Sequence, residues 1–83
     1  MRYSLTIKPA AQKKIDSIPQ LYRTKILNAL VYLETDPYLG KKLKGDLKDL
    51  YSLRVWPYRI VYKVYKNILI IVVINVAHRQ GVY

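Results

Sequence analysis

The residues able to carry chemistry in this chain are arginine, lysine, tyrosine and one histidine, and they crowd toward the C-terminal half. From Leu50 onward stand Arg54, Arg59, Lys63, Lys66 and Arg79, with no acidic side chain among them. The acids Asp16, Glu34, Asp36, Asp46 and Asp49 all come earlier. His78 is the only histidine and there is no cysteine, which rules out His-cluster and thiolate metal sites and any Cys–His nucleophile pair. Paired-carboxylate acid–base catalysis lacks its carboxylates in this half. Gly40, Gly45 and Gly81 are too scattered for a phosphate-cradling loop.

What remains suits one reaction well: cleavage of RNA by attack of a ribose 2′-OH on its own phosphate. The substrate brings the nucleophile, so the protein has only to hold it in line and neutralise the charge growing on the phosphate. A guanidinium does this through its rigid bidentate fork. Proton transfer needs one acceptor and one donor, for which His78, Tyr83 or a neighbouring lysine are candidates. No cofactor and no metal is expected.

Charge points the same way. Fifteen Lys and Arg against five Asp and Glu leave a formal charge of +10, the electrostatic footprint of a protein whose partner is a polyanion, either nucleic acid or an acidic protein. At 83 residues the chain makes one domain, 1–83. The run Ile68 to Ile74 falls far short of the roughly 20 apolar residues of a membrane span, and the N-terminus has no signal-peptide pattern. A soluble, cytoplasmic protein with no membrane partner is expected. Nine tyrosines, one tryptophan and no phenylalanine suit a core that borders a wet surface.

The elements that must position these residues follow from periodicity. Tyr3, Leu5 and Ile7 alternate with polar residues, which predicts a first strand. Pro9 suits the first turn of a helix, and Ala11, Ile15 and Ile18 share one face of it. Pro19 separates a second helix whose apolar face is Tyr22, Ile26, Ala29, Leu30 and Leu33, ending near Asp36-Pro37. Lys41 to Asp46 reads as a basic loop. The period then changes to two. Tyr51, Leu53 and Val55 oppose Ser52, Arg54 and Trp56 on one strand; Pro57 marks a bend; Tyr58, Ile60, Tyr62 and Val64 oppose Arg59, Val61, Lys63 and Tyr65 on the next. Lys66-Asn67 makes a tight connection. The β-branched run Ile68–Val76 predicts a central strand covered on both faces.

The order β-α-α-β-β-β predicts an α+β fold with two N-terminal helices on one face of a small, mainly antiparallel four-stranded sheet. Two helices cover only one face, so Arg54 and Arg59 point from adjacent strands to the open one, a candidate phosphate clamp. Alternating charges on an exposed sheet face also serve solubility, so the pattern alone does not choose between the two.

Three segments resemble the RelE branch of the RelE/ParE toxin superfamily. They are Lys42-Leu43-Lys44-Gly45, the hairpin Tyr51-Ser52-Leu53-Arg54-Val55 with Tyr58-Arg59-Ile60-Val61-Tyr62, and the terminal Val76-Ala77-His78-Arg79-Gln80-Gly81-Val82-Tyr83. The resemblance covers nearly the whole chain. It implies a type II toxin that cleaves messenger RNA in the ribosomal A site and is held by an acidic, RelB-like antitoxin. It implies catalytic roles for Arg54 in binding phosphate or activating the 2′-OH, Arg59 in clamping the scissile phosphate and Arg79 in stabilising the phosphorane. Tyr83 would stack on a base or aid proton transfer. His78 falls at a common family position; a solvated strand-end residue is the alternative. Lys41, Lys42, Lys44, Ser52 and Lys63 are assigned to RNA contact. Ser52 stands where the best-studied branch has a lysine, and Ala77 where a glycine is usual. Two rival readings accompany this one: a ParE-like poison of DNA gyrase acting by protein contact, and an RNA-binding relative without turnover.

Overall fold

The computed structural model describes residues 2–45 and 49–79. The first strand, β1 (Ser4–Ile7), leads into α1 (Pro9–Ser17) and α2 (Gln20–Thr35). Pro9 opens α1, where a missing N–H costs nothing. Pro19 then forces the chain out of α1 and caps α2, its carbonyl accepting from the N–H groups of Tyr22 and Arg23 at 3.0 and 2.9 Å. The two helices are tied by Arg23, whose Nη1 donates to the Asp16 carbonyl at 3.2 Å.

Beyond the helices come β2 (Lys41–Lys42), β3 (Leu50–Val55), β4 (Tyr58–Tyr65) and β5 (Ile70–His78). The sheet has five strands in the order β1-β5-β4-β3-β2, against the four expected. β5 pairs antiparallel with β4 and parallel with β1. The sheet is mixed because the two-helix crossover carries the chain from β1 to the far side of the sheet before the β3–β5 meander brings it back. β2 is the added strand: Lys41 and Lys42 pair with Ser52 and Tyr51, and the Leu43 N–H extends the pairing to the Leu50 carbonyl at 2.9 Å.

The helical faces read from spacing are the buried ones. Ala11, Ile15 and Ile18 of α1 and its exit meet Ile26, Leu30 and Leu33 of α2 over Ile60, Tyr62, Ile71, Val73 and Val76 of the sheet. Burying one such aliphatic side chain contributes about 1.5–3 kcal/mol, and these eleven residues form one continuous core. The outer surface of α2 keeps Leu21, Val31 and Tyr32 exposed.

β5 departs from expectation in two ways. It runs from Ile70, because Lys66–Ile68 form a 3₁₀ turn and Leu69 takes the left-handed conformation at φ 55°. It is also covered on one face only. Ile71, Val73 and Val76 are buried toward the helices while Ile70, Val72 and Ile74 are half-buried on the other side, where no helix lies. Between the pairs Tyr62–Val73 and Val61–Asn75, Ile74 has no partner on β4, a β-bulge. The β3–β4 hairpin turns at Trp56-Pro57, a cis peptide.

Candidate nucleic-acid interface

Cross-strand partners share a face of the sheet, so the register fixes what surrounds each arginine. On the helix-covered side Tyr58, Ile60 and Tyr62 enter the core. On the open side Arg54, Arg59 and Ala77 form one row across β3, β4 and β5. Ser52, Val61 and Asn75 form the row beside it. The bulge at Ile74 brings Asn75 and Ala77 to this face, since Val73 before it and Val76 after it both face the core. Two guanidinium groups directly opposed on neighbouring strands disfavour the sheet by about 0.2–1 kcal/mol; nothing in packing requires them there.

Arg79 joins the pair from beyond β5. Its backbone N–H donates to the Pro57 carbonyl at 2.6 Å, which moors it to the hairpin tip. Its guanidinium carbon stands 5.7 Å from the centre of the Trp56 ring. Arg54, Arg59 and Arg79, with Trp56, Pro57 and Tyr58, line a cleft of about 410 Å³. A second cleft of about 380 Å³ lies against it and shares Arg54 and Arg59; Lys41, Ser52, Gly40, Leu39, Leu43 and Leu53 complete its wall. Among the described residues no carboxylate lines either cleft.

The wall carrying Lys41 is held by a close approach. Gly40 N–H donates to the Tyr62 hydroxyl at 2.9 Å. A Cβ at Gly40 would lie 2.7 Å from that oxygen and 2.9 Å from the Ser52 carbonyl oxygen, so only glycine fits. Tyr62 is fully buried, stacked on Tyr51 with ring centres 5.6 Å apart. Burial pushes its hydroxyl up to about 12; the Gly40 hydrogen bond works against this, and Tyr51 and Asp36 add to it.

The other sequence-predicted residues spread around this centre. Lys63 lies on the same open face, half-buried, its ammonium 5.1 Å from the Tyr65 ring. Lys42 pairs with Tyr51 and so takes the opposite side from Lys41, while Lys44 is exposed in the following loop. His78 pairs with Tyr58 and packs edge-on against its ring at 5.3 Å, which puts it on the helix-covered side, away from the arginines. Tyr83 lies outside the described residues. Trp56 is the cleft residue to which the sequence assigned no role, although its place two residues after Arg54 put it on the arginine face. Among the described residues no three His, Cys, Asp or Glu side chains group to hold a metal ion, and no helix is long and apolar enough to cross a membrane.

Two helices on one face of a mixed five-stranded sheet is the fold of RelE-like toxins. A chain of the toxin–antitoxin complex RelBE2 from Mycobacterium tuberculosis is similar at 22% identity and TM-score 0.86, covering 95% of this chain and 100% of that one. A chain of the archaeal RelE–RelB complex from Pyrococcus horikoshii matches at 25% identity and TM-score 0.81, covering 99% and 100%. A mutant of the E. coli toxin RelE in the free state matches at 28% identity and TM-score 0.81, covering 98% and 87%. No curated protein matches the sequence. A family profile described as ParE toxin of type II toxin-antitoxin system, parDE, matches residues 5–83, and the chain belongs to that family of toxins.

Proposed function

We propose that this toxin is a ribosome-dependent, metal-independent endoribonuclease that cleaves messenger RNA. The observation that carries this reading is the convergence of Arg54, Arg59 and Arg79 on one cleft with no carboxylate among the described residues of its wall. Such a site attracts a phosphodiester and stabilises the extra charge of its transition state. The ribose 2′-OH attacks the adjacent phosphorus, the bond to the 5′ oxygen breaks, and the 2′ proton leaves as a proton is delivered to the departing oxygen. Arg59, between Arg54 and Ala77, clamps the scissile phosphate; Arg79 stabilises the phosphorane; Arg54 binds phosphate or helps activate the 2′-OH. Lys41 and Ser52 extend the track for the backbone along the second cleft, with Lys42, Lys44 and Lys63 as outlying charges. Tyr83 is the remaining candidate for proton transfer, since His78 packs against Tyr58 on the other side of the sheet.

The partners on this reading are the ribosomal A site with its message and an acidic, RelB-like antitoxin that covers the basic face. The similar structures from M. tuberculosis and P. horikoshii are a toxin–antitoxin complex and a RelE–RelB complex, which supports an antitoxin partner. The family description names ParE, and this favours, as the second reading, a gyrase poison acting by protein contact. One pair of assays separates them. The protein incubated with translating ribosomes should cut messages in the A-site codon, mapped by primer extension, and leave DNA supercoiling by gyrase unaffected. Inhibited supercoiling with intact message would reverse the assignment.

A further inference from the structure

We propose that Trp56, backed by Arg79, is a stacking subsite for one unpaired nucleobase beside the phosphate held by Arg54 and Arg59. The inference rests on the RNA-directed reading of the cleft. It concerns a residue that the phosphate chemistry does not use.

Trp56 is 60% exposed at the tip of the β3–β4 hairpin. A tryptophan there leaves a large apolar surface in water, and the core gains nothing from it, since Trp56 is absent from the core and its packed neighbours. Its surroundings are specific. The ring lines the same cleft as three guanidinium groups. Arg79 stands 5.7 Å from its centre, within cation–π range. The Arg79 backbone is moored to Pro57, the next residue, by the 2.6 Å hydrogen bond. A guanidinium within cation–π range of an aromatic ring still has N–H donors to offer to phosphate oxygens. The pair therefore offers an aromatic plane for a base and donors for the phosphate next to it.

Stacking of a base on an aromatic side chain is tolerant of sequence and contributes about 1–3 kcal/mol. It requires a base that is out of a duplex, as in a codon displayed singly. An acidic peptide would pair with the arginines but has no use for an exposed indole plane. A cleft of about 410 Å³ is on the scale of one nucleotide.

The chain has one tryptophan, so indole emission, excited beyond the tyrosine absorption band, reports on this subsite alone. The full chain is titrated with a single-stranded 2′-O-methyl RNA oligonucleotide, which lacks the nucleophile and stays intact. Inorganic polyphosphate and a polyglutamate peptide serve as base-free polyanions, and affinities are measured by calorimetry. The oligonucleotide should quench the indole emission; the two base-free polyanions should bind with little quenching. Trp56→Ala should weaken oligonucleotide binding about 5- to 150-fold, the stacking energy converted at 1.4 kcal/mol per tenfold, and leave polyphosphate binding unchanged. Trp56→Phe should restore part of the loss. Equal quenching by the base-free polyanions, no quenching by the oligonucleotide, or wild-type oligonucleotide affinity in Trp56→Ala would each overturn the subsite. Cleavage of message by a protein that shows no quenching removes the subsite alone. Quenching by a protein that cleaves nothing leaves the subsite and removes the ribonuclease reading.

Discussion

Replacing Arg59 with alanine separates what the side chain does for the fold from what it does for the reaction. Arg59 lies between Arg54 and Ala77 on the open face and borders both clefts. Removing its charge relieves the opposition to Arg54, a gain of about 0.2–1 kcal/mol. Removing its half-buried stem loses packing of similar size. The two nearly cancel. With about 4–8 °C of Tm per kcal/mol for a domain of this length, the thermal midpoint should stay within about 8 °C of wild type. The reaction has no such compensation. One donor aimed at a developing oxyanion contributes about 10²–10³ in rate, so single-turnover cleavage of a ribosome-bound message should fall by about that factor. Arg59→Lys keeps the charge but not the fork and should fall between the two. The assay is primer extension on purified ribosomes, with circular dichroism melts on the same preparations. A folded Arg59→Ala protein that cleaves at the wild-type rate would refute the assignment of the scissile phosphate to this residue.

Gly40→Ala should detach the Lys41 wall, because the new methyl meets the Ser52 backbone and the Tyr62 hydroxyl; a loss of more than about 1 kcal/mol by urea unfolding is expected, and unchanged stability would show that the approach is looser than described. Tyr62→Phe leaves the Gly40 N–H unpaired and should cost about 1–3 kcal/mol at neutral pH. Because burial raises the Tyr62 hydroxyl to about 12 from its ordinary 10, the native state keeps a proton that the unfolded chain loses. Wild-type stability should therefore fall between pH 10 and 12 by up to about 1.4 kcal/mol per pH unit more than that of Tyr62→Phe, and parallel pH profiles would contradict this. Cleavage of isolated RNA at high protein concentration should persist in EDTA, since Asp16, Glu34, Asp36 and Asp49 lie on the helices, at the α2 exit and before β3 rather than in either cleft wall; activity lost in EDTA and restored only by added divalent metal would exclude the mechanism.

Periodicity carried the parts of the fold that each element decides for itself. Ala11, Ile15 and Ile18, and Ile26, Leu30 and Leu33, are spaced so that each set can face only one way, and each set is buried. Alternation on either side of the bend at Pro57 likewise put Arg54 and Arg59 on the face opposite Ile60 and Tyr62. Relations between distant segments were not legible. The pattern Tyr3-Leu5-Ile7 says strand but not which strand lies beside it, and the partner proves to be Ile70–Val73, running parallel. Lys41-Lys42 carries no apolar signal at all. It becomes a strand because Gly40 lets the backbone pass against Tyr62 and Ser52, a contact 22 residues long in sequence. Within the run Ile70 to Ile74 every residue is apolar and β-branched, so either alternation phase looks alike and the bulge leaves no trace. For that reason the sequence did not show that His78 falls on the Tyr58 side of the sheet, away from the cleft that Arg79 lines.

The unpaired Ile74 makes β5 one residue longer than the segment of β4 that it matches, and this decides which changes of chain length the cleft can survive. Loss of Ile74 itself leaves Val73 across from Tyr62 and Asn75 across from Val61, so a shortened strand presents the same residues to the same sides. Loss or gain of one residue between Asn75 and Arg79 acts like a frameshift. Every side chain beyond it changes sides, the imidazole comes round to the cleft, and the guanidinium of residue 79 leaves it. A change of length is therefore silent at the bulge and disruptive in the residues after it, however freely the side chains there are exchanged.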